Sequence, residues 1–133
     1  NSTLWGGWMV EAPDQRLYFS GDSGYGPHFK EIGQRFGPID MALLEAGQYN
    51  IRWQAIHMLP NESVQAAKDL GARIMMPVHW GAFTLSLHPW DEPAEKTTLL
   101  AQQQDQLIVI PRIGELMQLL DEPVIRQAWW QKY

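Results

Sequence analysis

The chain has 133 residues, of which 45% are hydrophobic and 19% are charged, and its formal net charge is -5. Nucleic-acid-binding proteins usually show a clustered basic face, and the basic residues here are scattered, so we expect no nucleic-acid partner. Because the chain has no cysteine, disulfides, cysteine-ligated zinc and thiol nucleophiles are excluded. No apolar run reaches the roughly 20 residues of a membrane-spanning helix, which leaves peripheral membrane contact open.

The residue pattern predicts strands that alternate with helices. Two short aromatic-rich runs, 4–11 and 16–20, are typical of a β-hairpin. Beyond the hairpin, helical spacing and buried apolar runs predict, in chain order, a helix at 29–36, a strand at 39–45, a helix at 61–70, a strand at 72–78, a helix at 92–103, a strand at 107–110, a short final strand at 114–120 and a tail helix at 124–133. This order predicts an α/β (α+β layered) fold, a mixed sheet with flanking helices, in a single domain over residues 1–133.

A Gly-rich segment, "FSGDSGYGPHF", follows the hairpin at 19–29. Its letters Gly-Asp-Ser-Gly also surround the nucleophile of trypsin-like serine proteases. That enzyme fold is a disulfide-supported pair of β-barrels, whereas this chain has no cysteine and alternates helices with strands. We therefore interpret Ser23 as a turn residue and regard Asp22 as the residue that carries chemistry.

Asp22 and His79 are candidate metal ligands. Each follows a predicted strand, and ligand sites of open α/β sheets lie at such strand ends. A carboxylate can bridge two cations, and a neutral imidazole supplies nitrogen to zinc, manganese or iron. On spacing alone, the commoner alternative is an Asp that satisfies turn amides and a His that caps a strand.

Two longer segments, "LYFSGDSGYGPHFKEIGQRFGPIDMALLEAGQY" and "HMLPNESVQAAKDLGARIMMPVHWGAF", carry a family resemblance. They resemble the C-terminal half of metallo-β-lactamase-fold hydrolases, in the branch of N-acylphosphatidylethanolamine-hydrolysing phospholipase D and its bacterial relatives. The resemblance implies the C-terminal half of an αββα sandwich. The family's His-x-His-x-Asp-His motif, which lies in the N-terminal half, does not occur in this sequence. We therefore expect a fragment whose partner is the missing N-terminal half of the same fold.

The resemblance also implies roles for three residues. Asp22 is expected to bridge two metal ions, His79 to ligate one of them, and His57 to lie beside the substrate, with Asp22 and His57 as the catalytic residues. The expected cofactors are two divalent cations, Zn before Mn or Fe. The implied reaction is metal-assisted hydrolysis of a phosphodiester, or of a carboxyl-type centre, in a small-molecule or phospholipid-like substrate, with a phosphodiester expected first. The chain alone is expected to be inactive, since it carries about two of the family's ligands.

Further residues are assigned with open alternatives. Tyr25, Trp80 and His88 are expected to bind substrate, against core packing or a loop role. His28 is expected to cap or pack beside the helix at 29–36, against a direct metal role, and Glu45 to support the ligands from behind.

Trp129 and Trp130 in the tail are expected either to form an exposed patch that contacts the missing half or another subunit, or to pack in the core. The sequence leaves open whether the protein is a homo-oligomer. The expected compartment is cytoplasmic or membrane-peripheral. The rival interpretation of the whole chain is a non-catalytic domain that keeps the fold, has lost the metal and serves as a packing or interaction unit.

Overall fold

The computed structural model describes residues 5–119 and 128–132. Its elements are β1 (Trp8–Glu11), β2 (Arg16–Phe19), α1 (His28–Phe36), β3 (Ile39–Glu45), α2 (Pro60–Asp69), β4 (Ala72–Val78), α3 (Glu92–Gln103), β5 (Leu107–Ile108) and a 3₁₀ helix, Trp129–Lys132. The strands form one sheet in the order β1-β2-β3-β4-β5. β1 is antiparallel to β2, and every other neighbouring pair is parallel. The predicted mixed sheet with flanking helices is confirmed.

The sequence explains the centre of this sheet. β3 and β4 read "IDMALLE" and "ARIMMPV", continuous apolar runs that suit strands buried on both faces. Parallel neighbours need crossover connections, which α1, α2 and α3 supply. α2 begins at Pro60, where a missing N–H costs no helical hydrogen bond, and stops before Gly71, whose φ is 64°.

The three helices cover one face of the sheet. The buried side chains of this core are, among others, Tyr18, Ala42, Leu44, Met75 and Ile108 from the strands, Phe29, Val64, Ala67 and Ala101 from the helices, and Leu70 directly after α2. Apolar contact on this face therefore fixes the helices against β2, β3, β4 and β5.

The opposite face of the sheet is also apolar. Its side chains fall into two rows in register across the strands, one of Val10, Leu17, Met41, Ile74 and Leu107, the next of Trp8, Phe19, Leu43 and Met76. The irregular segment at 109–119 packs on the middle of this face, to which the described helices contribute no buried residue. At the edge strand β1, Trp8 stays 71% exposed and Val10 56% exposed. A sheet that is apolar on both faces is suited to be one inner layer of a larger sandwich.

Near the chain ends the structure differs from the predicted elements. The predicted final strand is wrong for residues 114–119, because a turn closed by the N–H of Glu115 on the carbonyl of Arg112 redirects the chain there. β5 is two residues long, shorter than predicted. β1 begins at Trp8, after Gly6 and Gly7, which weaken a strand. Of the predicted tail helix, residues 124–127 and 133 lie outside the described residues.

The described helices are all short. α3 is the longest with 12 residues, and within the described ranges no helix has the length and hydropathy to cross a membrane.

Leu44 and Leu99 form a matched pair for testing the core. Leu44 in β3 has no exposed surface, whereas Leu99 on α3 is 56% exposed. We expect Leu44→Ala to lower the free energy of unfolding by about 2–5 kcal/mol, because it leaves a cavity beneath the helices. Leu99→Ala should lower it by less than about 0.5 kcal/mol. Urea unfolding of the complete protein, followed by circular dichroism, measures both, and equal losses would contradict the assigned core.

Candidate metal centre

Asp22, His57 and His79 lie at one edge of the sheet. Asp22 follows β2, His57 lies in the loop between β3 and α2, and His79 directly follows β4. Because these three strands are parallel, their carboxyl ends meet at this edge. Asp22 Oδ1 is 3.5 Å from His79 Nδ1, and the rings of His57 and His79 stack with their centroids 5.2 Å apart. The structure therefore brings together the three residues that the sequence singled out.

Glu45 joins this group as its buried member. Its carboxyl is inaccessible to solvent, with Oε1 3.1 Å from His57 Nδ1 and Oε2 accepting the N–H of Met58 at 2.8 Å. Burial raises the pKa of Glu45 to about 9, although the bond from Met58 acts in the opposite direction. Since Glu45 occupies Nδ1 of His57, Nε2 is the ring atom left for the site. Burial and the neighbouring His79 lower the pKa of His57, which favours the neutral imidazole.

The donor atoms of this group fit a divalent cation. One ligand atom from each of Glu45, His57 and His79 lies within 4.8 Å of the others. Carboxylate oxygens and imidazole nitrogens are the donors that zinc, manganese and iron accept. The Asp22 side chain is 65% exposed and that of His79 31% exposed, so both face the open side of the edge. Asp22 and His79 are thus available to a cation, while Glu45 supports His57 from behind.

Two close backbone contacts hold the loops of the site together. A Cβ on Gly47 would lie 2.0 Å from the carbonyl oxygen of His79, and one on Gly24 would lie 2.2 Å from that of Ala55. Only glycine permits such approaches. His79 itself has a φ of 67°, a left-handed conformation that non-glycine residues seldom adopt. Strained backbone of this kind tends to cluster at functional sites, and here it occurs at a candidate ligand.

Ser23 has no access to a substrate. It is 1% exposed, and its hydroxyl donates to the carbonyl of Gly24 at 2.8 Å. Its Oγ is also 3.4 Å from Nε2 of His28, but a buried hydroxyl cannot attack an external carbonyl group. His28 begins α1 and packs on Phe29, with ring centroids 4.1 Å apart, which confirms the packing predicted for it.

The side chains of Tyr25 and His88 contact residues outside the group of Asp22, Glu45, His57 and His79. The hydroxyl of Tyr25 donates to Asp69 Oδ2 at 2.6 Å, at the last residue of α2, and this bond raises the pKa of Tyr25 to about 12. The ring of His88 stacks on Tyr49 with a centroid separation of 4.3 Å. Their substrate-binding roles stay predictions.

Trp80 belongs to an aromatic cluster beside the site. It stacks on Trp90 and Trp129 at centroid distances of 6.3 and 5.9 Å, and Trp130 meets it edge-on at 6.2 Å. Trp130 is 4% exposed and donates its indole N–H to Glu95 at 2.6 Å. Of the two alternatives for the tail, packing within the chain accounts for Trp130. The substrate-binding role of Trp80 stays a prediction.

Comparisons with known proteins identify the family. Residues 1–80 match the family model described as the beta-lactamase superfamily domain. An uncharacterized protein of Mycobacterium tuberculosis is 40% identical over 134 residues, which cover 98% of this chain and 36% of the relative. The N-acyl-phosphatidylethanolamine-hydrolyzing phospholipase D 1 of Caenorhabditis elegans is 33% identical over 129 residues, covering 91% of this chain and 36% of the relative. The chain thus spans about a third of the length of these two relatives.

The fold has counterparts among solved structures. The isothiocyanate hydrolase from Delia radicum gut bacteria superposes with a TM-score of 0.65 at 21% identity, over 84% of this chain and 42% of the other. At this level of identity the likeness establishes a shared fold.

Gly47 and Gly6 offer a matched test of the loop contact. Gly47→Ala places a methyl group against the immobile carbonyl of His79, whereas Gly6→Ala meets no atom within 4 Å. We expect the first change to lower stability by about 1–3 kcal/mol and to displace His79, and the second to leave stability unchanged. Thermal unfolding of the two variants of the complete protein measures the difference. An unaltered melting temperature for Gly47→Ala would show that the loops do not meet as described.

Proposed function

The chain belongs to the β-lactamase superfamily, in the branch of N-acylphosphatidylethanolamine-hydrolysing phospholipase D, and we propose that it is part of a metal-dependent hydrolase. The observation that carries this proposal is the meeting of Asp22, His57 and His79 at the carboxyl edge of three parallel strands. The carboxylate of Asp22 and the imidazole of His79 are donors of the kind that bind metals which catalyse hydrolysis, and the imidazole of His57 lies beside them.

Each residue then has a distinct task. A pair of divalent cations, Zn before Mn or Fe, supplies Lewis-acid activation of water and of the scissile bond when bound. Asp22 would hold the metals through its exposed carboxylate, and His79 would hold a metal through its imidazole. His57 orients the substrate and exchanges a proton at Nε2, because Glu45 holds its Nδ1. Glu45 does not contact the substrate in this scheme and acts by positioning His57.

The proposed substrate is a phosphodiester of the small-molecule or phospholipid-like class. The similarity to the phospholipase D of Caenorhabditis elegans supports this class, since that protein is named for hydrolysing N-acyl-phosphatidylethanolamine. Substrate class diverges readily on a shared fold, so the class is tested separately from the metal.

We further propose that the remaining ligands come from another part of the same sandwich, packed on the open sheet face. The exposed apolar side chains of that face, Trp8, Val10, Phe19 and Leu107, support this arrangement, because exposed apolar surface on a sheet often marks a contact. Residues 1–133 alone are then inactive, since Asp22 and His79 without further ligands hold a catalytic metal pair only weakly.

Metal content tests the ligand assignment. We expect Asp22→Asn and His79→Ala each to lose metal from the complete protein and to lower phosphodiesterase activity at least about 100-fold, since each removes a donor. Asp14→Asn, in the exposed turn of the hairpin, is the control and should change neither quantity. Inductively coupled plasma mass spectrometry and hydrolysis of a chromogenic phosphodiester provide the two readouts. Full metal content in both ligand variants would refute the assignment, and a complete wild-type protein that holds no metal and hydrolyses no phosphodiester would favour the non-catalytic alternative.

Glu45→Gln tests the positioning of His57. The amide oxygen can still accept the N–H of Met58, so we expect the fold and the metal content to be retained. The amide cannot share a proton with His57 as the carboxyl does, so kcat should fall roughly 10- to 100-fold with KM nearly unchanged. Glu31→Gln, on the exposed surface of α1, is the matched control. An unchanged kcat for Glu45→Gln would remove Glu45 from the mechanism.

A further inference from the structure

The aromatic cluster of Trp80, Trp90, Trp129 and Trp130 lies directly beside the proposed ligand His79. Trp80 follows His79 in the chain, and its ring stacks on that of Trp129 with a centroid distance of 5.9 Å. Trp90 also stacks on Trp80, and Trp130 meets both Trp80 and Trp129 edge-on. Because Trp80 shares a planar peptide bond with His79, a contact that fixes Trp80 also constrains the backbone of the ligand.

The backbone of His79 depends on its neighbours for its shape. Its φ of 67° lies in the left-handed region, which a non-glycine residue keeps only where surrounding groups hold it there. In the loop after β3, Gly47 admits the carbonyl oxygen of His79, which would lie 2.0 Å from a Cβ at that position. In the following residue, the indole N–H of Trp80 donates to the carbonyl of Pro77 at 3.0 Å and closes a turn around His79. The conformation of the ligand is therefore held from two directions, and the Trp80 ring provides one of them.

The 3₁₀ helix that supplies Trp129 and Trp130 is itself anchored to the rest of the chain. Trp130 donates its indole N–H to Glu95 Oε1 at 2.6 Å, and Gln131 Nε2 donates to the same oxygen at 2.8 Å. Trp129 Nε1 donates to the carbonyl of Ile110 at 2.9 Å. These bonds tie the 3₁₀ helix to α3 and to the segment after β5, so its two indole rings have a fixed orientation.

Burial alone does not account for the aromatic cluster. Only Trp130 is fully buried, whereas Trp80 and Trp129 are half-buried and Trp90 is exposed. The indole N–H groups of Trp80, Trp129 and Trp130 nevertheless all donate to protein acceptors. Directional hydrogen bonds and defined ring geometry fix the orientation of side chains, whereas simple removal from water requires neither. The cluster is therefore suited to hold Trp80 in place.

We propose that the 3₁₀ helix Trp129–Lys132 acts through Trp80 as a positioning element for His79 and thereby raises the affinity of the site for a divalent cation. The inference deepens the proposed function, since it rests on His79 as a metal ligand. A ligand that is held in its binding conformation before the metal arrives loses less conformational freedom on binding. Groups that orient metal ligands commonly contribute roughly 10- to 100-fold in affinity.

This coupling acts in both directions. If the packed 3₁₀ helix raises the affinity for zinc by a given factor, bound zinc stabilises the packed helix by the same factor. None of the proposed ligands Asp22, His57 and His79 lies in residues 128–132. Slower amide exchange in 128–132 on addition of zinc is therefore expected from the coupling through Trp80.

The test uses three variants of the complete protein. Trp129→Ala removes a ring that stacks on Trp80, whereas Trp129→Phe keeps a ring there and loses only the N–H bond to Ile110. Leu100→Ala, in α3, is the control, because it removes a half-buried side chain from the helix-covered core. We expect Trp129→Ala to bind zinc roughly tenfold more weakly than the wild type, Trp129→Phe to recover most of that loss, and Leu100→Ala to bind zinc as the wild type does.

Three measurements provide the readouts. Competition with a chromophoric chelator gives the dissociation constant for zinc, and far-ultraviolet circular dichroism follows the signal of the stacked indoles. Hydrogen exchange of peptides that cover residues 77–81 and 128–132, with and without zinc, reports the coupling. In the metal-free protein, Trp129→Ala should already exchange faster at 77–81 than the wild type.

Several outcomes would overturn the positioning role. They are an unchanged affinity for zinc in Trp129→Ala after the indole signal is lost, an equal loss of affinity in Leu100→Ala, and exchange at 128–132 that does not respond to zinc. If Trp129→Ala does not fold, Trp129→Phe and the exchange of the wild type decide the question. Zinc binding that is independent of Trp129 leaves the proposed function standing, whereas a wild type that binds no zinc would refute both.

Discussion

The buried carboxyl group of Glu45 is the interaction on which the candidate site depends. Its Oε2 accepts the N–H of Met58 and its Oε1 contacts His57, while its own N–H donates to Ser20 Oγ at 2.9 Å and its carbonyl accepts the hydroxyl of Ser63 at 2.8 Å. One residue thereby joins the end of β2, the end of β3, the loop that carries His57 and the first turn of α2. A buried polar group of this kind is costly unless fully bonded, so these contacts specify a single arrangement of the loops.

The fold explains why this edge, and not another, carries chemistry. Three parallel strands end side by side here, and each continues into a loop that contributes one of Asp22, His57 and His79. The helices bury one face of the sheet, and the opposite face presents two apolar rows. In a sandwich, a second sheet on that face would bring its own strand ends toward the same edge, so packing of the open face and completion of the site are one geometrical event.

Much of this arrangement was predictable from residue patterns, and the failures have physical causes. The bounds of β3, β4 and α3 match because long apolar or helical runs were flanked by Gly and Pro signals. The proximity of Asp22 and His79 was predictable because each follows a strand, and the carboxyl ends of parallel strands lie at the same edge of a sheet. The sequence predicts only that Glu45 supports the ligands. Its burial could not be predicted, since no local pattern shows that a carboxyl group at a strand end will be buried. Residues 114–119 have the pattern of a strand, although Met117 and Leu119 pack irregularly on the sheet face. Periodicity cannot distinguish these two ways of burying the same side chains.

The segment that follows β3 connects the metal centre with the loop at residues 81–88. Within four residues, Glu45 holds His57, Gly47 admits the carbonyl of His79, and Gln48 clamps the backbone of Leu85. Gln48 has a φ of 58°, so the clamp itself is held in an uncommon backbone conformation. A displacement of residues 83–86 must therefore act on Gln48, one residue from the point where Gly47 touches His79. The loop at residues 81–88 and the ligand proposed to hold the metal are in this way held by the same short stretch of chain, which fixes their relative position.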